Sequence, residues 1–168
     1  MSKHFASTLA LALALLLPFA AGAESKYDFE LYDLNDKLVS LKKTRKAAQM
    51  VVIDFFSSSC MPCKRAIPRW KKIHRRWSYR RVKVLIVAVP DGGDRDKSLK
   101  RIRSFFKKQK VAFPVVWDKY TLIAKRYGVA KKGGLVLPQA FLLDGRSKLL
   151  YRAADPQTID REIARRIK

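Results

Sequence analysis

The chain has 168 residues, of which 48% are hydrophobic and 11% aromatic, and this is the composition of one ordinary globular domain. Lysine and arginine number 37 against 14 acidic residues, so the formal net charge is +23. Such a balance favours an anionic partner, which could be an acidic protein, an anionic membrane surface or a nucleic acid. The two cysteines, Cys60 and Cys63, are too few for a disulfide-stapled miniprotein or a four-cysteine zinc site.

The first 23 residues have the pattern of a secretory signal peptide. Lys3 precedes an apolar run over residues 5–17, Pro18 ends the run, and the small residues Ala21-Gly22-Ala23 follow. We expect cleavage after Ala23 and a periplasmic protein whose net charge is lower by one, because Lys3 is the only formally charged residue removed. The alternative is an uncleaved membrane anchor, since the apolar stretch approaches the ~20 residues that a membrane-spanning helix needs.

Residues 24–168 alternate between strand and helix patterns, which predicts a single α/β domain. In chain order, strands are predicted at 27–33, 37–41 and 49–56, a helix at 60–77, a strand at 81–89, a helix at 98–108, a strand at 113–117, a helix at 120–127, a hairpin of strands at 139–144 and 148–151, and a helix at 155–167. The run at 49–56 is apolar on both faces apart from Asp54, as in a central strand. The predicted fold is therefore a mixed sheet with helices on both faces.

The motif Cys60-Met61-Pro62-Cys63 places two thiols on the first turn of a predicted helix. Unpaired N–H groups and the macrodipole at a helix N-terminus favour a thiolate, so Cys60 is the predicted nucleophile and Cys63, one turn further in, the resolving thiol. The preceding serines, 57–59, are expected to supply N-cap hydroxyls. A zinc site would need more ligands than His74 can add, and a structural disulfide closing so short a loop would remove little chain entropy. We expect no metal and no cofactor.

These residues carry a resemblance to a known family. The segment VVIDFFSSSCMPCKRAIP resembles the active-site strand and helix of thioredoxin-fold proteins, and residues 27–167 resemble the TlpA/ResA-like branch of exported thiol-disulfide oxidoreductases. The matching positions are Asp54, Lys64, Pro68, Tyr127-Gly128-Val129 and a proline that opens a strand, Pro138. An N-terminal hairpin and a helix–strand insertion at about residues 91–119 also resemble that branch.

The resemblance implies roles for three further residues. Pro138 would be a cis-proline facing the cysteine pair, and the backbone of Leu137 would pair with an extended substrate strand. Asp54, if its strand is central, would have a pKa raised by burial and would take a proton from Cys63 during resolution. An aspartate at an exposed edge is the alternative.

Two features depart from the family pattern. Ser59 stands where a tryptophan usually precedes the first cysteine. The loop at 130–137 is longer than in thioredoxin, and we expect it beside the active site, where it would shape substrate choice.

The predicted function is that of an exported, monomeric thiol-disulfide oxidoreductase that reduces protein disulfides with electrons from an upstream membrane donor. Two cues for the direction conflict: Pro62 resembles the reducing members, whereas a positive field around Cys60 stabilises the thiolate and favours an oxidant. The first alternative is a thiol peroxidase of the peroxiredoxin type. Ile53 and Ser57, however, occupy the positions where that site has proline and threonine.

The second alternative is a basic polyanion-binding module with vestigial cysteines. Stacking aromatics would be expected in a nucleic-acid site, but Trp70 and Trp77 have core spacing, so the sequence does not favour nucleic acid. Lys64, Arg65 and Arg69 are expected to splay towards solvent from the helix that follows Cys60. Their charge would attract acidic proteins or anionic surfaces.

Overall fold

The computed structural model describes residues 25–167, so the predicted signal peptide, residues 1–23, lies outside the described residues. Its elements are β1 (Glu30–Tyr32), β2 (Leu38–Ser40), α1 (Leu41–Lys46), β3 (Met50–Phe56), α2 (Met61–Trp77), β4 (Val82–Ala88), α3 (Arg95–Gln109), β5 (Val115–Trp117), α4 (Leu122–Arg126), β6 (Ala130–Lys131), β7 (Gly134–Leu135), β8 (Gln139–Asp144), β9 (Leu149–Ala153) and α5 (Pro156–Arg166). A 3-10 turn, Ser78–Arg80, joins α2 to β4. No helix within the described range has both the length and the apolar character needed to cross a bilayer.

The central sheet has five strands in the order β5-β4-β3-β8-β9. Strands β3, β4 and β5 are parallel, whereas β8 pairs antiparallel with both β3 and β9. All seven residues of β3 are buried, as its nearly continuous apolar sequence predicts for the middle of a sheet. The fold predicted from the sequence, a mixed sheet with helices on both faces, is confirmed.

Alternate residues of β3 face two separate apolar layers. Val52 and Phe56 pack in the layer that contains Trp70 of α2, together with residues of α3 and α5. Val51, Ile53 and Phe55 pack on the opposite face against α1 and α4. Because strand side chains alternate between faces, Asp54 faces α2 together with Val52 and Phe56. The sheet thus places one carboxyl group beneath the helix that carries the cysteines.

Two short segments depart from the predicted elements. Helix α1 was not predicted, because its six residues include one buried side chain, Leu41, and so show no helical periodicity. The loop at 130–137 contains the hairpin of β6 and β7, whose strands are only two residues each. The hairpin turns through Gly133 and Gly134, which have φ angles of 99° and 132°.

Other boundaries shift for local reasons. The first strand is shorter than predicted, because Asp28 N donates to Ser25 O (2.8 Å) and closes a turn before β1. Helix α3 starts three residues earlier than predicted, because Asp94 Oδ1 accepts hydrogen bonds from the N–H groups of Asp96 (2.9 Å) and Lys97 (3.1 Å). An aspartate N-cap of this kind satisfies donors that the helix itself leaves unpaired.

Candidate active site

The two cysteines lie at the start of α2, directly beyond the end of β3. Cys60 is the N-cap residue, and its Sγ accepts a hydrogen bond from Cys63 N at 3.2 Å. The pair forms a disulfide with a Cα–Cα separation of 5.3 Å. Cys63 is fully buried in the layer between α2 and the sheet, whereas Cys60 is half-buried. An incoming group therefore reaches Cys60 first.

The three serines before Cys60 do not cap α2 as predicted; they bind Asp91. Ser57 Oγ donates to Asp91 Oδ1 at 2.5 Å, Ser58 Oγ donates to Asp91 Oδ2, and Ser59 N donates to Asp91 Oδ1 at 3.0 Å. An ionised carboxylate is a stronger acceptor than the neutral groups that a serine hydroxyl otherwise meets. The serines therefore fasten the active-site turn to the loop after β4, and Cys60 takes the N-cap position.

The Asp91 carboxylate is also held by Arg101 of α3. Arg101 donates to Asp91 Oδ2 from Nη2 (2.9 Å) and from Nε (3.2 Å). Burial alone would raise the pKa of Asp91, but the hydrogen bonds from Ser57, Ser58 and Arg101 together outweigh it and lower the pKa to about 2. Asp91 is thus ionised at neutral pH and joins the active-site turn to α3.

Asp91 is not among the site residues predicted from the sequence. The signal that points to it is topological: the active-site turn follows β3 and Asp91 follows β4, and these neighbouring strands are parallel. The carboxyl ends of parallel neighbours lie at the same edge of a sheet, so a polar side chain after β4 is placed beside the residues after β3.

Asp54 lies in the middle of β3, paired in register with Ile86 of β4 and Ala140 of β8, and is 3% exposed. Burial raises the pKa of its carboxyl group well above the usual range. Trp70 Nε1 lies near enough to favour the ionised form slightly, without the geometry of a hydrogen bond. Within the described residues Asp54 Oδ2 has no hydrogen-bond partner. The edge-strand alternative is therefore wrong.

The peptide bond between Leu137 and Pro138 is cis, the geometry that the family resemblance implies. The antiparallel pairing of β3 with β8 ends at Phe55 and Gln139. Pro138 and Leu137 come next along that chain, so they run towards the end of β3 from which the active-site turn departs. Leu137 and Cys60 both pack against the α2-side apolar layer.

The β6–β7 hairpin lies beside the active-site turn, as predicted for this loop from the sequence. Lys131 and Leu135 of the hairpin line a groove of about 550 Å³ that reaches Ser59. On α2, Arg65 and Arg69 are exposed and Lys64 is half-buried. Among residues 25–167 no group of three or more His, Cys, Asp or Glu side chains is arranged to hold a metal ion.

Comparison with known proteins agrees with this geometry. The model of the AhpC/TSA family matches residues 23–152. A thiol-disulfide oxidoreductase ResA of Bacillus thuringiensis subsp. konkukian is 27% identical over 131 residues, which cover 78% of this chain and 68% of the relative. Sporulation thiol-disulfide oxidoreductase A of Bacillus subtilis is 23% identical over 155 residues, covering 89% of this chain and 87% of that protein.

Solved structures show the same fold. A thiol:disulfide interchange protein of the thioredoxin family from Chlorobium tepidum superimposes with a TM-score of 0.67 at 18% identity, covering 84% of this chain and 94% of that one. StoA of Bacillus subtilis superimposes with a TM-score of 0.64 at 19% identity, covering 81% and 96%. The thioredoxin-like fold, the redox-active cysteine pair and the family match agree: this chain belongs to the AhpC/TSA family, as a thioredoxin-like thiol-disulfide oxidoreductase.

Proposed function

We propose that the protein is exported and reduces protein disulfides, with Cys60 as the nucleophile and Cys63 as the resolving thiol. The observation that carries this proposal is the asymmetry of the pair: Cys60 is half-buried at the N-terminus of α2, and Cys63 is fully buried one turn further in. A helix N-terminus favours a thiolate on the accessible residue. The reducing direction is supported by Pro62 in the motif, and export by the leader pattern of residues 1–23.

The exchange proceeds in two steps. The Cys60 thiolate attacks one sulfur of the substrate disulfide, a mixed disulfide forms, and the other substrate sulfur leaves as a thiolate. The Cys63 thiolate then attacks Cys60 Sγ, which restores the Cys60–Cys63 disulfide and releases the second substrate thiol. Two electrons pass from the cysteine pair to the substrate, and an upstream dithiol donor at the membrane must return them.

Asp54 is the proposed proton acceptor for Cys63. The second step needs a thiolate on Cys63, which is buried where an ionised thiol is costly. A carboxylate whose pKa is raised by burial is a stronger base than an exposed one, and its strength then approaches that of the thiol it must deprotonate. Asp54 and Cys63 face the same layer beneath α2, and Asp54 Oδ2 has no hydrogen-bond partner among the described residues.

Substrate binding is proposed at Leu137 and Pro138. These residues lead into β8 beside the end of β3, next to the turn that carries Cys60. The main-chain groups of Leu137 would pair with an extended segment of the substrate, as β-strand addition does elsewhere. This pairing would align the substrate disulfide with the Cys60 sulfur.

Two variants test the cysteine roles. The parent protein should accelerate the reduction of insulin by dithiothreitol, and Cys60→Ser should abolish the acceleration. Cys63→Ser should instead accumulate mixed disulfides that are visible on non-reducing gels, because the resolving thiol is gone. Full insulin reduction by Cys60→Ser would refute the proposal. Rapid consumption of hydrogen peroxide in the same preparation, without insulin reduction, would favour the peroxidase alternative.

A further inference from the structure

A second groove, between α2 and α3, opens at the active-site turn and is strongly cationic. The α2–α3 groove has a volume of about 490 Å³ and is lined by Ser58 and Lys64 on the active-site side and by Lys100, Arg101, Phe105 and Lys108 of α3. Its lining includes no acidic residue. Four positively charged side chains therefore line one open groove, and their summed field attracts anions.

Most of this charge is unbalanced. Arg101 is paired with Asp91 at 2.9 Å, but Lys64, Lys100 and Lys108 have no carboxylate partner among residues 25–167. Lys64 also connects the groove to the reactive residue, because its N–H donates to Cys60 O at 3.1 Å. The residues that carry the uncompensated charge thus begin about one helical turn after the residue that meets the substrate.

The groove is held in shape at both ends. At the active-site end, Arg101 Nε lies 3.4 Å from Ser58 Oγ, and both side chains bind Asp91. At the far end, Lys71 Nζ of α2 donates to Gln109 O at the end of α3, at 2.8 Å.

An apolar surface lies between these two ends. Phe105 stacks on Phe56 with ring centroids 5.2 Å apart, and Phe105 belongs to the groove lining. Cationic walls over an apolar surface suit a peptide better than a flat lipid surface.

The length of α3 between Lys100 and Lys108 sets the length of the peptide that the α2–α3 groove can hold. Lys100 and Lys108 are eight residues apart on α3, which corresponds to about 12 Å at 1.5 Å per residue. An extended peptide rises about 3.3 Å per residue, so about four residues span that distance.

We infer that the α2–α3 groove binds an acidic segment of about four residues that adjoins the reactive cysteine of a disulfide-bearing substrate protein. This inference rests on the proposed function, because it identifies the substrate class of the same site. Lys100 and Lys108 attract the acidic side chains, Phe105 contacts their aliphatic parts, and the segment delivers the adjoining disulfide to Cys60. Substrates with such a segment react faster because electrostatic attraction raises the rate of encounter.

The test compares two disulfide-linked peptide pairs that differ only in four residues next to the cysteine, glutamate in one and glutamine in the other. Reduced parent protein should cleave the glutamate peptide about tenfold faster at low salt. The advantage should vanish between ~0.01 M and ~1 M salt, as the Debye length falls from ~30 Å to ~3 Å. Cleavage of a small neutral disulfide should change little.

The variant Lys100→Glu/Lys108→Glu should lose the preference for glutamate and keep its rate with the small neutral disulfide. The matched control is Lys42→Glu/Lys46→Glu, which makes the same charge change on exposed residues of α1, on the opposite face of the sheet. The control should keep the preference. Equal losses in both variants would mean that only net charge matters, and would overturn the inference.

A binding measurement separates this inference from the proposed function. A fluorescent glutamate peptide with serine in place of cysteine should bind the parent, but not Lys100→Glu/Lys108→Glu, in an anisotropy titration. If neither disulfide peptide reacts, the proposed function fails, and this titration still shows whether the α2–α3 groove binds the glutamate peptide. Equal binding of glutamate and glutamine peptides would overturn the inference. The inference would also be overturned if anionic phospholipid vesicles bound through Lys100 and Lys108 while the protein showed no preference for the glutamate peptide over the glutamine peptide.

Discussion

Replacing Asp54 with asparagine should make the oxidised protein more stable relative to the parent as the pH rises. The pKa of Asp54 is raised in the folded state by burial, while its unfolded value is ~3.9. Above pH ~3.9 the unfolded chain ionises at this position and the folded chain does not, so the parent loses stability until the pH reaches the folded pKa. Asparagine cannot ionise, so the variant does not lose this contribution.

The expected effect is a difference between the two proteins in the slope of the unfolding free energy against pH. In that pH window the folded state of the parent binds one proton more than the unfolded state, so its free energy of unfolding falls by about 1.36 kcal/mol for each pH unit relative to Asp54→Asn. Any effect of the amide on packing adds a constant and leaves the slope unchanged. The slope therefore measures the buried carboxyl group separately from the shape of its surroundings.

Urea denaturation of both proteins in steps of pH gives the measurement. Asp36→Asn is the control, since it makes the same chemical change at an 80% exposed carboxylate in a turn. Parallel curves for the parent and Asp54→Asn would refute the argument that Asp54 is buried as a neutral acid. In a kinetic arm run above the folded pKa that the slope reveals, where Asp54 is ionised and can accept a proton, Asp54→Asn should release a preformed mixed disulfide more slowly than the parent, and equal rates would rule out proton transfer to Asp54.

Two further predictions concern the ion pairs that hold the site and the first helix. Asp91→Asn should lower the free energy of unfolding by about 2 kcal/mol at neutral pH. Because the parent gains this stability only where Asp91 is ionised, the difference between parent and variant should disappear as the pH falls from ~3.9 towards 2. An undiminished difference at pH 2 in urea denaturation would contradict this. Arg45→Met should cost about 3 kcal/mol in urea denaturation, because it leaves the buried Asp28 carboxylate without the guanidinium that contacts it at 2.7 Å and 2.8 Å. The double variant Arg45→Met/Asp28→Asn should recover part of that loss, and an effect of Arg45→Met below about 1 kcal/mol would show that the pair behaves like an exposed one.

The sequence predicts the centre of the molecule better than its edges. Strand β3 could be predicted because a run of buried residues on both faces leaves a long apolar pattern, and α2 because its buried positions repeat at three and four residues. Helix α1 and the β6–β7 hairpin escape such reasoning, since one buried residue or two-residue strands establish no period. These segments are ordered by contacts with distant parts of the chain, as when Arg45 binds Asp28 and the carbonyl of Gly145.

The candidate site also contains features that a local sequence pattern predicts and features that depend on contacts with distant parts of the chain. Cys60 and Cys63 are recognisable because the motif is local and its spacing fits one helical turn. The cis bond before Pro138 follows only from the family resemblance, because cis bonds occur at ~5–6% of X-Pro positions. The expected capping by serines 57–59 was wrong because a carboxylate 32 residues further on approaches them in space. Local preference predicts which groups a serine can bind, but the tertiary fold decides which of them is present.

The two aspartates near the cysteines have opposite protonation behaviour because they differ in hydrogen bonding. Both lose water, and burial by itself raises the pKa of each. Asp91 receives several hydrogen bonds, from serines, a main-chain N–H and a guanidinium, so it stays ionised and fixes the turn. Asp54 has an oxygen without a partner among the described residues, so its charged form is the costly one.

Environments that separate the pKa values of two acids also separate their roles. An acid that stays charged across the working pH range cannot relay a proton, and one that holds no hydrogen bonds cannot anchor a loop. Asp91 therefore suits positioning of the active-site turn, and Asp54 suits exchange of a proton with Cys63.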